Sequence, residues 1–295
     1  MQSVEGRVRA DLAAKLLALG ADISPPMVAG TIALCAAELP QFDEAIATRD
    51  LAYGPDARHR LDLFGSTPGG AARPIFVYIH GGGFVMGDKG GPADPFYNNI
   101  GAWAARQGWL GVTATYRLAP AHRWPSGVED MALLVQWLAA NAAQHGGDPR
   151  AIFLYGQSAG AAHVASYVGG PRADEAAEML AGAVLLSGIY DVAAAERNHF
   201  QAAYYGEDSA AFAGQSSIDG LVRTALPCLY AVAEHDPLDF QRQAALLVSR
   251  HVEARGVWPE IHRLAGHNHL SPAQLIGSGM GPEGLVGDFV GRVLG

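Results

Sequence analysis

At residues 156–160 the chain reads GQSAG, which sets Ser158 among small residues, with the apolar run AIFLY before it and a helix-like stretch after it. A sharp strand-to-helix turn forces strained dihedrals on its central residue and lifts the side chain clear of the backbone, as a nucleophile requires. A helix starting at Ala159 would add backbone N–H groups and the positive end of its dipole beside that hydroxyl. A serine hydroxyl is a useful nucleophile only when a base takes its proton and a third group orients the base. Both residue types follow downstream. Asp236 closes the run PCLYAVAEHD, and His267 and His269 lie in GHNHLS, after PEIHRLAG. Asp239 reads instead as the cap of the next helix. His235 reads as facing away from Asp236, because neighbours on a strand point to opposite faces.

Attack on an acyl carbon places negative charge on the former carbonyl oxygen, which must then meet hydrogen-bond donors. The run His80-Gly81-Gly82-Gly83 offers them, since only glycines let backbone N–H groups approach a ligand so closely. Gly82 and Gly83, joined by the N–H of Ala159, are the expected oxyanion hole. His80 is expected to stiffen this loop by hydrogen bonding. A phosphate cradle does not fit, because neither the lysine followed by Ser/Thr nor the GxGxxG spacing is present.

These residues need elements that bring them together. PIFVYIH (74–80), LGVTATY (110–116), AIFLYG (151–156), AGAVLLSG (181–188), PCLYAVAEH (227–235) and PEIHRLAG (259–266) are short apolar runs, as expected of strands buried on both faces. TRDLAYG and RHRLDLFGS flank Gly54, Pro55 and Asp56 and predict an antiparallel pair at a sheet edge. Between strands lie helical patterns. The clearest is 126–146, with Val128, Met131, Val135 and Leu138 on one face and a capping box formed by Ser126 and Glu129. Alternating strands and helices imply a doubly wound, mostly parallel sheet, whose ligands bind beyond the carboxyl ends of the strands. Residues 1–45 read as helices with apolar stripes (Leu12, Leu16, Leu17, Leu19, then Met27 to Leu39) broken at SPP, and are expected to form a lid. Residues 46–295 read as the catalytic domain, with 192–225 as a cap insertion. Phe84, Tyr190, Tyr204 and Tyr205 are expected to line a substrate pocket, beside Trp124.

HGGGFVMGD (80–88), YRLAPAHRWPSGVED (116–130), GQSAG (156–160), DPL (236–238) and the late histidine resemble, in order and rough spacing, the hormone-sensitive-lipase family of bacterial carboxylesterases. The likeness covers about residues 45–295. It implies an α/β-hydrolase fold, with a mostly parallel central sheet flanked by helices and an N-terminal helical lid. It implies hydrolysis of esters of short to medium acyl chain without a cofactor or metal. The implied triad is Ser158, Asp236 and a histidine three residues after the glycine that ends the last strand, which from Gly266 is His269. His267 is then a loop-stabilising residue. Two departures stand out: Gln157 occupies a position where many members carry an acid, and GHNHLS replaces the usual histidine followed by glycine and an aromatic. The second is similar to formamidase-like and feruloyl-esterase-like hydrolases, so an amidase or arylformamidase is the alternative chemistry. A non-catalytic ligand receptor on the same fold would be marked by a lost triad member.

Composition bounds the rest. The 295 residues are 49% hydrophobic and 17% charged, with a net charge of −9, which fits a globular enzyme and lacks the basic footprint of nucleic-acid binding. Cys35 and Cys228 are the only cysteines, too few for a disulfide framework or a zinc site. No run approaches the ~18 apolar residues of a membrane span. The expectation is a cytoplasmic protein acting on a small-molecule ester, with a homodimer left open.

Overall fold

The computed structural model describes residues 7–295. Eight strands make one sheet: β1 (Ala47–Ala52), β2 (Arg60–Phe64), β3 (Arg73–Ile79), β4 (Leu110–Ala114), β5 (Gly147–Gln157), β6 (Gly182–Leu186), β7 (Cys228–His235) and β8 (Ile261–Asn268). Their spatial order is β1-β2-β4-β3-β5-β6-β7-β8. Only the β1/β2 and β2/β4 pairings are antiparallel. The expected edge hairpin and parallel centre are thus both present. Twelve α-helices surround the sheet: α1 (Ala10–Ala18), α2 (Pro25–Ala36), α3 (Asn98–Arg106), α4 (Ser126–Asn141), α5 (Ala159–Gly169), α6 (Ala173–Met179), α7 (His199–Tyr205), α8 (Phe212–Gln215), α9 (Ile218–Arg223), α10 (Leu238–Arg255), α11 (Ser271–Gln274) and α12 (Glu283–Leu294).

Side-chain alternation along the central strands feeds two cores. On one face Ile75, Val77 and Ile79 of β3 and Ile152 and Leu154 of β5 pack with Met131, Val135 and Leu138 of α4 and Val164 and Tyr167 of α5. On the other, Phe76, Tyr78, Phe153 and Tyr155 meet Trp103 of α3 and Val286, Phe289 and Val290 of α12. A strand covered on both sides must be apolar at every position, which is why these runs read as continuous.

Two expected caps are corrected. The α4 cap position is Pro125, no side chain caps the helix, and Ser126 lies inside it, donating its hydroxyl to the carbonyl of His122. Glu129 pairs with Arg117 instead. Asp239 does not cap α10; its carboxylate accepts from the Glu196 N–H at 3.0 Å and from Gln201 Nε2 at 3.5 Å. Asp239 thereby ties the start of α10 to the insertion between β6 and β7. The N-terminal helices dock by Leu12, Leu16 and Cys35 on Leu275 and Met280.

Candidate active site

β5 ends at Gln157 and α5 begins at Ala159, so the whole reversal falls on Ser158, whose φ of 56° and ψ of −121° are strained for a side-chain-bearing residue. The turn is this tight because its neighbours are bare. A Cβ on Gly160 would stand 2.1 Å from the carbonyl oxygen of Ile79, so α5 could not lie against the end of β3 with any other residue there.

The parallel order β5-β6-β7-β8 lines up four loops along one edge of the sheet. Ser158, Ser187, Asp236 and His269 follow these strands in turn. His269 Nε2 lies 2.8 Å from Ser158 Oγ, and its Nδ1 lies 2.5 Å from Asp236 Oδ1. The other carboxylate oxygen of Asp236 accepts from Ser187 Oγ at 2.6 Å and from the Ala233 N–H at 2.7 Å. Three contacts on the two oxygens of a buried carboxylate hold the Asp236 side chain in one rotamer, with the imidazole bridging it to Ser158. The Phe240 ring covers His269, with centroids 4.4 Å apart.

His267 is turned away from Ser158. It is buried, shares a 2.9 Å hydrogen bond between Nδ1 and Ser271 Oγ, and burial lowers its imidazole to about 4. Asn268 between the two histidines accepts from the N–H groups of Leu270 and Ser271 and donates to Thr31 Oγ1 of α2 at 2.7 Å. The HNHLS segment that departs from the family pattern is therefore a self-bonded turn anchored on the N-terminal helices.

The glycine loop is braced from below. His80 is fully buried, bonds through Nδ1 to the carbonyl of Gly81 at 2.6 Å and stacks on Tyr116 at 4.3 Å. Burial pushes its imidazole down to about 3, so it stays neutral. Tyr116 donates its hydroxyl to the His80 carbonyl, and Arg58 donates to the carbonyls of Tyr116 and Gly87. Arg117, partly exposed, and the buried Asp130, both from the longest family motif, form an ion pair whose carboxylate also bonds to His59, tying the loop after β4 to α4. Among the described residues, none of the N–H groups of Gly82, Gly83 and Ala159 is spent on another backbone carbonyl outside helix and strand pairing. Gly83 has a φ of 59°, and a Cβ on it would meet the Phe200 ring at 2.9 Å.

The aromatic residues divide. Phe84 stacks on Tyr204 at 4.6 Å and meets Tyr205 edge-on, in a cluster that also holds Ala159 and Phe212. Tyr204 and Tyr205 come from α7, so this part of the chain packs on Phe84, next to the glycine loop. Tyr190 is the correction: it sits in the main core against Tyr230, with its hydroxyl toward the Leu185 carbonyl, and its backbone is tied to Gln243 of α10 and to Ser217 and Ile218. Sequence reading missed Ser187, Phe240, Phe200 and Thr31. Only Ser187 carried a signal, a small polar residue directly after an apolar strand.

A family model described as alpha/beta hydrolase fold matches residues 76–272. The chain belongs to that family. Among curated relatives, an esterase named LipQ from Mycobacterium tuberculosis is 28% identical over 204 residues, 65% of this chain and 47% of the relative. A carboxylesterase named NlhH from the same organism is 40% identical over 106 residues, 33% of this chain and 31% of the relative. The chain thus matches about half or less of the length of these relatives. Among solved structures, an esterase/lipase from an uncultured bacterium superposes with a TM-score of 0.69 at 20% identity, covering 97% of this chain and 99% of that one. Esterase B from Lactobacillus rhamnosis gives 0.68 at 18% identity, covering 96% and 97%. Among the described residues, no helix is long and apolar enough to cross a membrane, and no group of three or more His, Cys, Asp or Glu is arranged to hold a metal ion.

Proposed function

We propose that this chain is a serine carboxylesterase for esters of short to medium acyl chain, with Ser158 as nucleophile, His269 as base and Asp236 as the orienting acid. The observation that carries the reading is the unbroken hydrogen-bonded line from Asp236 Oδ1 through both nitrogens of His269 to Ser158 Oγ. In this reading Ser158 Oγ attacks the acyl carbon as its proton passes to His269 Nε2. The oxyanion is taken up by the N–H groups of Gly82, Gly83 and Ala159. Collapse breaks the bond to the alcohol, which leaves with the proton held on His269. Water then attacks the acyl-enzyme, giving its proton to His269, and the carboxylic acid is released with Ser158 restored.

Residues 192–225 act as a cap over this site, through Phe200 beside Gly83 and Tyr204 beside Phe84. The test is hydrolysis of p-nitrophenyl acetate and butyrate, with the matching anilides run in parallel. The esters are expected to turn over and the anilides to lag far behind. Ser158→Ala is expected to keep less than about a thousandth of wild-type kcat. Residual turnover above that level rules out covalent catalysis by Ser158, and faster anilide than ester cleavage moves the assignment to an amidase.

A further inference from the structure

The residue before the nucleophile departs from the family's acid, and its side chain has a definite partner. Gln157 is buried, and its Nε2 donates to the backbone carbonyl of His269 at 2.9 Å, a contact between residues 112 apart in sequence. Its other amide atom faces the glycine loop: a Cβ on Gly81 would stand 2.5 Å from Gln157 Oε1, so any side chain at 81 would displace this amide. One amide therefore touches the loop carrying the base and the loop carrying the oxyanion donors, from the residue covalently joined to the nucleophile.

We infer that Gln157 is the positioning residue that fixes the distance between Ser158 Oγ and His269 Nε2, by gripping the carbonyl of the base's own residue. The inference rests on the esterase reading above. Its physical basis is that a carbonyl oxygen can only accept, so the side chain facing it must donate. An amide donates at every pH, a thioether never does, and a carboxyl group does so only while protonated. The backbone of His269 is otherwise held from the far side, through Asn268 and Thr31. Without the inner grip the histidine loop is free to drift outward along that anchor. A drift of about 1 Å at a reacting pair can cost on the order of 100-fold in rate.

The experiment uses Gln157→Met and Gln157→Glu in the full chain, with circular dichroism recorded at each pH to follow folding. Gln157→Met is expected to lower kcat by about tenfold or more with KM little changed, since substrate contacts are intact. Gln157→Glu makes the grip itself titrate. Burial and the facing carbonyl both favour the neutral carboxyl, which donates as the amide does. The titratable groups around position 157 are His269, with Asp236 behind it, and His80 of the glycine loop, which burial keeps neutral. Gln157→Glu should lose kcat as its own carboxyl ionises, a descending limb toward high pH that the wild-type profile lacks because an amide does not titrate. That limb compares one folded protein with itself, so it serves even if Gln157→Met does not fold. If both variants are folded and match wild type in kcat and pH profile, the inference is overturned while the esterase reading stands. If wild type itself hydrolyses no ester, it is the esterase reading that has failed.

Discussion

At the scale of single residues, the proposed oxyanion loop gives the most exposed prediction. Gly83 has a left-handed φ and stands under the ring of Phe200. Gly83→Ala strains the backbone and pushes that ring away at the point where the substrate oxygen would bind. Its kcat should fall about 100-fold or more, the scale of losing one oxyanion donor. A kcat within a few-fold of wild type, measured on folded protein with p-nitrophenyl butyrate, would move the donors elsewhere. The tight turn at Ser158 and the glycine loop were readable in sequence because each is a contiguous motif whose shape is set by its own small residues. The choice between His267 and His269 came from family likeness, since two residues apart on a strand point the same way. In the structure His267 bonds to Ser271, beside the turn at Asn268, and His269 bonds to Ser158, which supports the proposed base. The partner of Gln157 was not readable at all, because nothing near residue 157 encodes a carbonyl 112 residues away.

Among the elements, α2 has a more specific place than a lid. Thr31 Oγ1 donates to the Met27 carbonyl and accepts from Asn268 Nδ2, and both side chains are buried. Thr31→Val keeps the shape and leaves the Asn268 amide only the weak Met27 sulfur at 3.8 Å in place of an oxygen acceptor, which should cost about 1–3 kcal/mol of stability. Thr31→Ser should restore most of it. Urea unfolding of the three proteins checks this, and an unchanged midpoint for Thr31→Val would mean that the anchor carries no load. Strands were legible because burial on both faces demands continuous apolar runs. Helix starts were less so. Ser126 and Glu129 match the capping pattern, yet Pro125 takes the cap position and Arg117 claims Glu129, a long-range pairing that local spacing does not reveal.

For the molecule as a whole, buried histidines set the response to acid. Burial lowers His80 and His163 to about 3 and His267 to about 4, from an ordinary value of 6.5. The unfolded chain takes up protons at these positions as pH falls through about 6.5, whereas the folded chain refuses them until about 4 or below. Stability should therefore be full above neutrality and decline as pH drops from 7 toward 4. Each such histidine contributes a slope of up to about 1.4 kcal/mol per pH unit. His163 offers the cleanest check, since among the described residues its Nε2 has no hydrogen-bond partner and its ring packs among Phe84, Tyr116 and Tyr204. His163→Leu should flatten the fall in urea midpoint between pH 7 and pH 5 by about one proton's worth. An identical slope would show that the imidazole titrates normally in the folded state.

The docking of α1 and α2 also bears on how the protein is made. These helices leave the ribosome long before the elements they cover: Thr31 precedes its partner Asn268 by 237 residues. At about 5–20 residues per second, translation separates the two by roughly ten to fifty seconds. Throughout that interval Leu12, Leu16 and Cys35, all buried in the finished molecule, lack Leu275 and Met280, the late side chains they pack on. A nascent chain stalled before β8 would thus present an apolar pair of helices to its surroundings. The histidine loop is the last part of the proposed site to be translated, and its arrival supplies both the base and the cover for the helices made first.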